Sequence, residues 1–179
     1  MESVTGGIQA IQQGDITISG RFDSTGNLRV DPATGTSQHH VRHGDVLLRS
    51  RGNSVAAWAV AGPLQETALA VSPLYVLRPT AGVLDPGYLA WMLMRPTAQS
   101  HFARESVGSN LKMIRRSAIE TLPIELPPLV IQRAIASAAL LAAREFELST
   151  RLAILHNDLT ALRLDACAPS NHHNDRNLE

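Results

Sequence analysis

A chain of 179 residues with 44% hydrophobic and 18% charged residues has the makeup of one globular domain with an appendage, and no stretch approaches the roughly 18 apolar residues of a membrane span. The opening MESVTGGIQAIQQGD has neither the basic start nor the apolar run of a signal peptide, so a cytoplasmic location without membrane association is expected. One cysteine, Cys167, excludes an internal disulfide and a cysteine zinc site. An aromatic content of 4% leaves few platforms for stacking single-stranded bases.

The 16 basic and 16 acidic residues balance, yet they are unevenly placed. Through Arg116 there are eleven basic and eight acidic residues, and from Ser117 onward five and eight, so a front of +3 precedes a back of −3. All the cations but Lys112 are arginine, whose planar fork suits phosphate and guanine, although a GC-rich genome enriches arginine too.

In chain order, the first part reads as short β-prone stretches separated by turn chemistry. ITISG at Ile16 to Gly20 alternates, and Asp23 to Asn27 is a turn cluster. A polar loop from Asp31 to Gln38 leads to Gly44-Asp45, a buried-type strand over Val46 to Ser50, and Arg51-Gly52. Further strands are expected at Ala56 to Val60, Ala68 to Ser72 and Leu74 to Arg78. Asp85 as cap and Pro86 at the first helical position then begin a helix through Met94. Pro96 stops it and starts a second helix through Gln99, Phe102 and Ala103. Ile119 and Leu122 suggest a helical turn, and Ile124 to Leu126 a short strand before Pro127-Pro128.

From Pro128 to Pro169 the sequence contains no glycine or proline, so residues 128 to 165 can form one helix of roughly 57 Å. Spacings of three and four join Ile131, Ala134, Ala138, Leu141, Glu145, Leu148, Leu152, Leu155, Leu159 and Leu162 into a coiled-coil seam, with Ile135 beside it. Each leucine left in water forgoes roughly 1.5 to 3 kcal/mol, so the stripe calls for a partner helix, the alternative being that it folds back on its own domain. The domains expected are a β-rich unit at 1–126, the helix at 127–166, and a polar, disordered tail at 167–179.

Chemistry-bearing motifs are sparse. His39, His40 and His43 with Asp45 invite a metal-site reading, but they lie in a loop without the HExxH arrangement, which favours a surface turn. No GxSxG elbow, P-loop or GxGxxG occurs, and Asp15, Asp23, Asp31 and Asp45 adjoin turn residues, where carboxylates cap backbone amides. No catalytic residue, metal or cofactor is expected. The basic positions suit binding instead. Arg49 and Arg51 fall on one strand face beside Gly52, and Ser109, Asn110, Lys112, Arg115 and Arg116 combine loop donors with three cations.

Four passages in order resemble a target recognition domain of type I restriction-modification specificity subunits: HGDVLLRSRG at His43 to Gly52, Ala70-Val71-Ser72 to Leu77-Arg78-Pro79, LDPGYLAWMLM at Leu84 to Met94, and GSNLKMIRRSAIETLPIELPPLVIQRAIA at Gly108 to Ala136. The resemblance spans roughly Asp15 to Leu164. It implies an α+β fold, a small mixed or antiparallel β-rich domain with short helices followed by one long coiled-coil-type helix. Such a domain reads one half of a bipartite site in double-stranded DNA. It is not an enzyme; adenine methylation, S-adenosylmethionine and ATP belong to a methyltransferase (M) subunit and, in full systems, a restriction (R) subunit. Arg49, Arg51, Gly52, Arg78, Ser109, Asn110, Lys112, Arg115 and Arg116 are the expected DNA contacts. Ile131, Ile135, Leu141, Leu148, Leu152, Leu155, Leu159 and Leu162 are the expected partner face.

Family subunits usually carry two recognition domains and two spacer helices, against one of each in this sequence, which also lacks the tryptophan-containing opening. A half-subunit or truncated form is the expectation, with a homodimer through the leucine stripe and a symmetric bipartite target. The rival readings are an assembly protein that docks by its helix without touching DNA, and a small hydrolase built on His39, His40 and His43.

Overall fold

The computed structural model describes residues 7–23, 28–30, 40–52, 55–62, 67–106 and 113–167. Among these residues, seven short strands, β1 (Ile8–Ile11), β2 (Arg29–Val30), β3 (His40–Val41), β4 (Val46–Arg49), β5 (Ala57–Ala59), β6 (Ala68–Ala70) and β7 (Leu74–Leu77), precede four α-helices, α1 (Pro86–Met94), α2 (Pro96–Glu105), α3 (Arg116–Glu120) and α4 (Leu129–Cys167). The chain is α+β.

The strands form a four-stranded sheet in the order β2-β1-β6-β3 and a three-stranded sheet in the order β5-β4-β7. The first is mixed, with β1 parallel to β6 and the outer pairs antiparallel. The second is antiparallel throughout, with Val46 opposite Ala59 and Leu77, and Leu48 opposite Ala57 and Tyr75. Strand side chains alternate between faces, and β4 buries both of its faces. Val46 and Leu48 join Leu89, Leu93, Ala98, Phe102, Ile114 and Ala118 in a core between the three-stranded sheet and the short helices. Leu47 joins Ile11, Ile16, Val41, Ala56, Val60, Ala68 and Ala70 in a second core toward the other sheet. A strand between two cores must be apolar at every position, which is why Val46-Leu47-Leu48 reads as a continuous apolar run.

The sequence places β4, β5, β6, β7, α1 and α2 to within a few residues. The Asp85 cap forms as expected, with its Oδ1 accepting from the Tyr88 amide at 3.0 Å. Two expectations change. Ile16 to Gly20 is a turn rather than a strand: the Gly20 amide donates to the Thr17 carbonyl at 3.0 Å, the Thr17 hydroxyl accepts from the Arg21 amide at 3.0 Å, and only Ile16 bridges to Phe22. Gly20 is required there, because at φ 75° a Cβ would lie 2.5 Å from the Ala57 carbonyl oxygen and 2.6 Å from Met94 Sδ. Ile124 to Leu126 joins no strand; the Glu125 carbonyl accepts from the Tyr88 hydroxyl at 2.9 Å, so a side chain takes the place of a ladder partner. The strands β1, β2 and β3 have no counterpart in the sequence reading.

The start of α4 is locked by Gln132, which is 1% exposed. Its Nε2 donates to the Val83 and Pro127 carbonyls at 3.0 and 2.8 Å, and its Oε1 accepts from the Asp85 amide at 2.8 Å. A Cβ on Gly87 of α1 would stand 2.9 Å from the Ala136 Cβ, so two small residues let α1 and α4 approach closely. The chain divides into two compact units, Met1–Leu140 and Leu141–Glu179. In the second, Leu141, Leu148, Leu152, Leu155, Leu159 and Leu162 are all exposed. Of the expected tail at 167–179, Cys167 is the last residue of α4, and the rest lies outside the described residues.

Candidate nucleic-acid interface

The two arginine groups that the sequence singles out are separated by about sixty positions, and the backbone brings them side by side. Beyond β4, Ser50 is buried and pinned from two directions. Its hydroxyl and amide both donate to the Pro73 carbonyl, at 2.6 and 3.1 Å, and its carbonyl accepts from the Ile114 amide at 2.8 Å. One residue further, Arg51 forms an antiparallel bridge with Met113. The Tyr75 hydroxyl donates to the Ile114 carbonyl at 3.1 Å, so β7 holds the same segment from its other side. Arg49-Ser50-Arg51-Gly52 and Met113-Ile114-Arg115-Arg116 are thereby parts of one edge.

The guanidinium groups on this edge differ in their freedom. Arg51 and Arg115 are exposed, Arg51 in the bridge and Arg115 at the N-cap of α3. Arg116 is exposed and pairs with Glu120 at 2.7 Å, an i,i+4 contact that water and salt screen readily. Arg49 is half-buried, with Nη1 donating to the Ile16 carbonyl at 3.1 Å and Nε buried without a hydrogen-bond partner among the described residues. Gly52 has φ 130°, in the region that favours glycine. Ser109, Asn110 and Lys112 lie outside the described residues.

Arg78 is engaged elsewhere. Its Nε and Nη2 donate to the two carboxylate oxygens of Asp45 at 2.7 and 2.9 Å, and Nη2 also reaches the His40 carbonyl at 3.2 Å. The Asp45 side chain is 2% exposed and that of Arg78 47% exposed, so the pair is anchored at its acidic end. The hydrogen bond to Asp45 holds the Arg78 pKa above its ordinary value, with the carboxylate's charge adding to it and partial burial opposing it. Asp45 accepts further from the Arg42 amide at 2.8 Å, and Asp15 likewise caps the Gln12 amide at 2.8 Å. Both carboxylates therefore do the backbone-capping work their turn positions suggest. Among the described residues no cluster of His, Cys, Asp or Glu could hold a metal ion; His39 lies outside them.

On the face expected to meet a partner, Ile131 is exposed and Ile135 half-buried, while Leu141, Leu148, Leu152, Leu155, Leu159 and Leu162 are 46–70% exposed. No described helix is long and apolar enough to cross a membrane. Sequence reasoning missed Ser50, Tyr75 and Met113, which assemble the edge, and Gln132. A single bridge residue has no periodicity, and Tyr75 reads as an ordinary strand residue, so no local signal marks them.

Solved structures share this arrangement of sheets, short helices and long helix. A chain from a structure of the type I R-M system, described for its complex assembly and conformational transition, matches with a TM-score of 0.67 at 18% identity, over 96% of this chain and 45% of that one. The HsdS subunit from Thermoanaerobacter tengcongensis matches with a TM-score of 0.58 at 18% identity, over the same shares. The fold is HsdS-like. The chain spans under half the length of these HsdS-like structures. No family model matches it, and no curated protein does.

Proposed function

We propose that the chain is a DNA-recognition module of a type I restriction-modification complex, reading one half-site of a bipartite duplex target. The observation that carries this reading is the Arg51–Met113 bridge, which unites Arg49, Arg51 and Gly52 with Arg115 and Arg116 on one edge. Exposed Arg51 and Arg115 serve as phosphate contacts, and Ser109, Asn110 and Lys112, outside the described residues, are further contacts by their chemistry. Arg49 is held by Ile16 and shapes the edge from beneath. Arg78, committed to Asp45, contributes charge and register with its exposed part.

The module is non-catalytic. Methyl transfer, with its S-adenosylmethionine, belongs to an adenine methyltransferase subunit that assembles on α4, and cleavage to a restriction subunit where one is present. The setting is the cytoplasm, and the recognition unit comprises residues 1–126, with 127–166 as the spacer helix.

The test is binding of the full chain, alone and with a methyltransferase subunit, to a selected duplex pool. Enrichment of a bipartite sequence is expected, and Arg51→Ala with Arg115→Ala should weaken binding roughly tenfold or more without changing the enriched sequence, as loss of phosphate contacts does. No enrichment with the partner present, or full affinity in the double variant, contradicts the reading. A second reading, assembly without DNA contact, is favoured by the exposed leucines of α4 and by the zero formal net charge, and the double variant separates the two.

A further inference from the structure

The connection from β4 to β5 carries Arg51 and Gly52, and its outgoing limb is fixed by Ser50 and by the bridge to Met113. Its returning limb is fixed at Val55 by a side chain. The Val55 amide donates to Gln99 Oε1 at 3.1 Å, and Gln99 Nε2 donates to the Val55 carbonyl at 3.1 Å and to the Leu93 carbonyl at 3.2 Å. Only one orientation of the Gln99 amide satisfies all three contacts, because both carbonyls need a donor and the Val55 amide needs an acceptor. Gln99 thus engages both backbone groups of Val55 as a neighbouring strand would, from 44 positions away. Its third contact falls in the last turn of α1, where a carbonyl has no intrahelical partner.

Gln99 is itself held in place. Its amide donates to the Arg95 carbonyl at 2.9 Å, and its neighbours Ala98 and Phe102 on α2 are buried with Val46 and Leu48 of β4 in the core on which Val55 also packs. Gly52 and Val55 are three positions apart, with Asn53 and Ser54 outside the described residues. Three residues span at most about 11 Å, so an anchor at Val55 limits where the chain leaving Arg51 can sit. That limit matters unequally for two kinds of binding. An exposed arginine finds some phosphate in a non-specific complex whatever its exact position, whereas the register of a specific complex requires the contact to be held within a fraction of an ångström.

We infer that Gln99 is a positioning residue for sequence-specific DNA binding, setting Arg51 against the duplex through its clamp on Val55. The inference rests on the proposed function and adds to it a residue of α2, a helix that carries none of the expected DNA contacts. Gln99 acts through the loop, so its effect depends on Arg51 being present.

The test compares binding of the full chain, with a methyltransferase subunit, to the enriched duplex and to a scrambled one. Gln99→Ala should weaken binding to the enriched duplex about fivefold and leave binding to the scrambled duplex within about twofold. In an Arg51→Ala background the same substitution should cost less than about twofold, because the two residues act as one unit. Gln99→Met, which keeps the length and apolar stem of the side chain without its hydrogen bonds, should repeat both results and serves if the alanine variant folds poorly. Hydrogen exchange reads the clamp itself: the Val55 amide should lose protection in either variant while the Ile114 amide, bonded to the Ser50 carbonyl, keeps it. Equal losses on the two duplexes, or a loss as large in the Arg51→Ala background as without it, would mark a general structural role and overturn the inference. So would variants that bind the enriched duplex as the wild type does. A wild type that enriches no duplex contradicts the recognition reading itself, and the inference falls with it.

Discussion

Arg78 and Asp45 illustrate how one residue's role depends on what its neighbour lacks. With Asp45 almost fully buried and Arg78 half in water, the arginine can lose its partner and be solvated, whereas the carboxylate cannot. Arg78→Met should therefore destabilise the first unit by about 2–3 kcal/mol, less than stripping a partner from a fully buried pair costs because Arg78 is half in water, measured by denaturant unfolding. Because the Arg78 pKa is raised on folding, its contribution is complete below the unfolded value and fades only as pH rises through the folded one. Wild-type stability should show no loss traceable to Arg78 from neutral to mildly alkaline pH. At this scale the sequence is a partial guide: the turn position of Asp45 announces a capping carboxylate, but nothing near Arg78 announces a partner 33 residues away.

Among the elements, those with chemical punctuation were legible and those defined only by pairing were not. Asp85-Pro86 and Pro96 delimit α1 and α2 because a cap and a missing amide act locally. The apolar run of β4 announces a strand buried on both faces. The alternating Ile16 to Gly20 segment is misleading, since Thr17 and Gly20 satisfy its backbone as a turn, and β1 takes its strand character from β2 and β6 rather than from its own residues. The junction of α4 with the residues before it depends on Gln132, which no periodicity distinguishes from a surface glutamine. Gln132→Ala would strand the Asp85 amide and the Val83 and Pro127 carbonyls. It should cost about 3 kcal/mol, or roughly 6–12 °C in Tm, read by differential scanning calorimetry.

At the level of the whole molecule, the HsdS-like fold divides into two units, Met1–Leu140 and Leu141–Glu179. The basic front of the chain, through Arg116, lies within the unit that bears the arginine edge, and the acidic back from Ser117 runs through the end of that unit into the helix whose leucines are exposed. That division was visible in the distribution of charge and the length of the glycine-free stretch. The assembly of the edge was not, because it depends on the bridge between Arg51 and Met113. Salt dependence tests recognition by this edge most directly, since each neutralised phosphate releases counterion and sets the slope of log K against log salt. Under the proposed function, duplex affinity of the full chain with a methyltransferase subunit should fall steeply with salt, and Arg51→Ala with Arg115→Ala should make the slope shallower by about 2 per copy. An unchanged slope in the double variant, or binding indifferent to salt, would contradict DNA recognition by this edge.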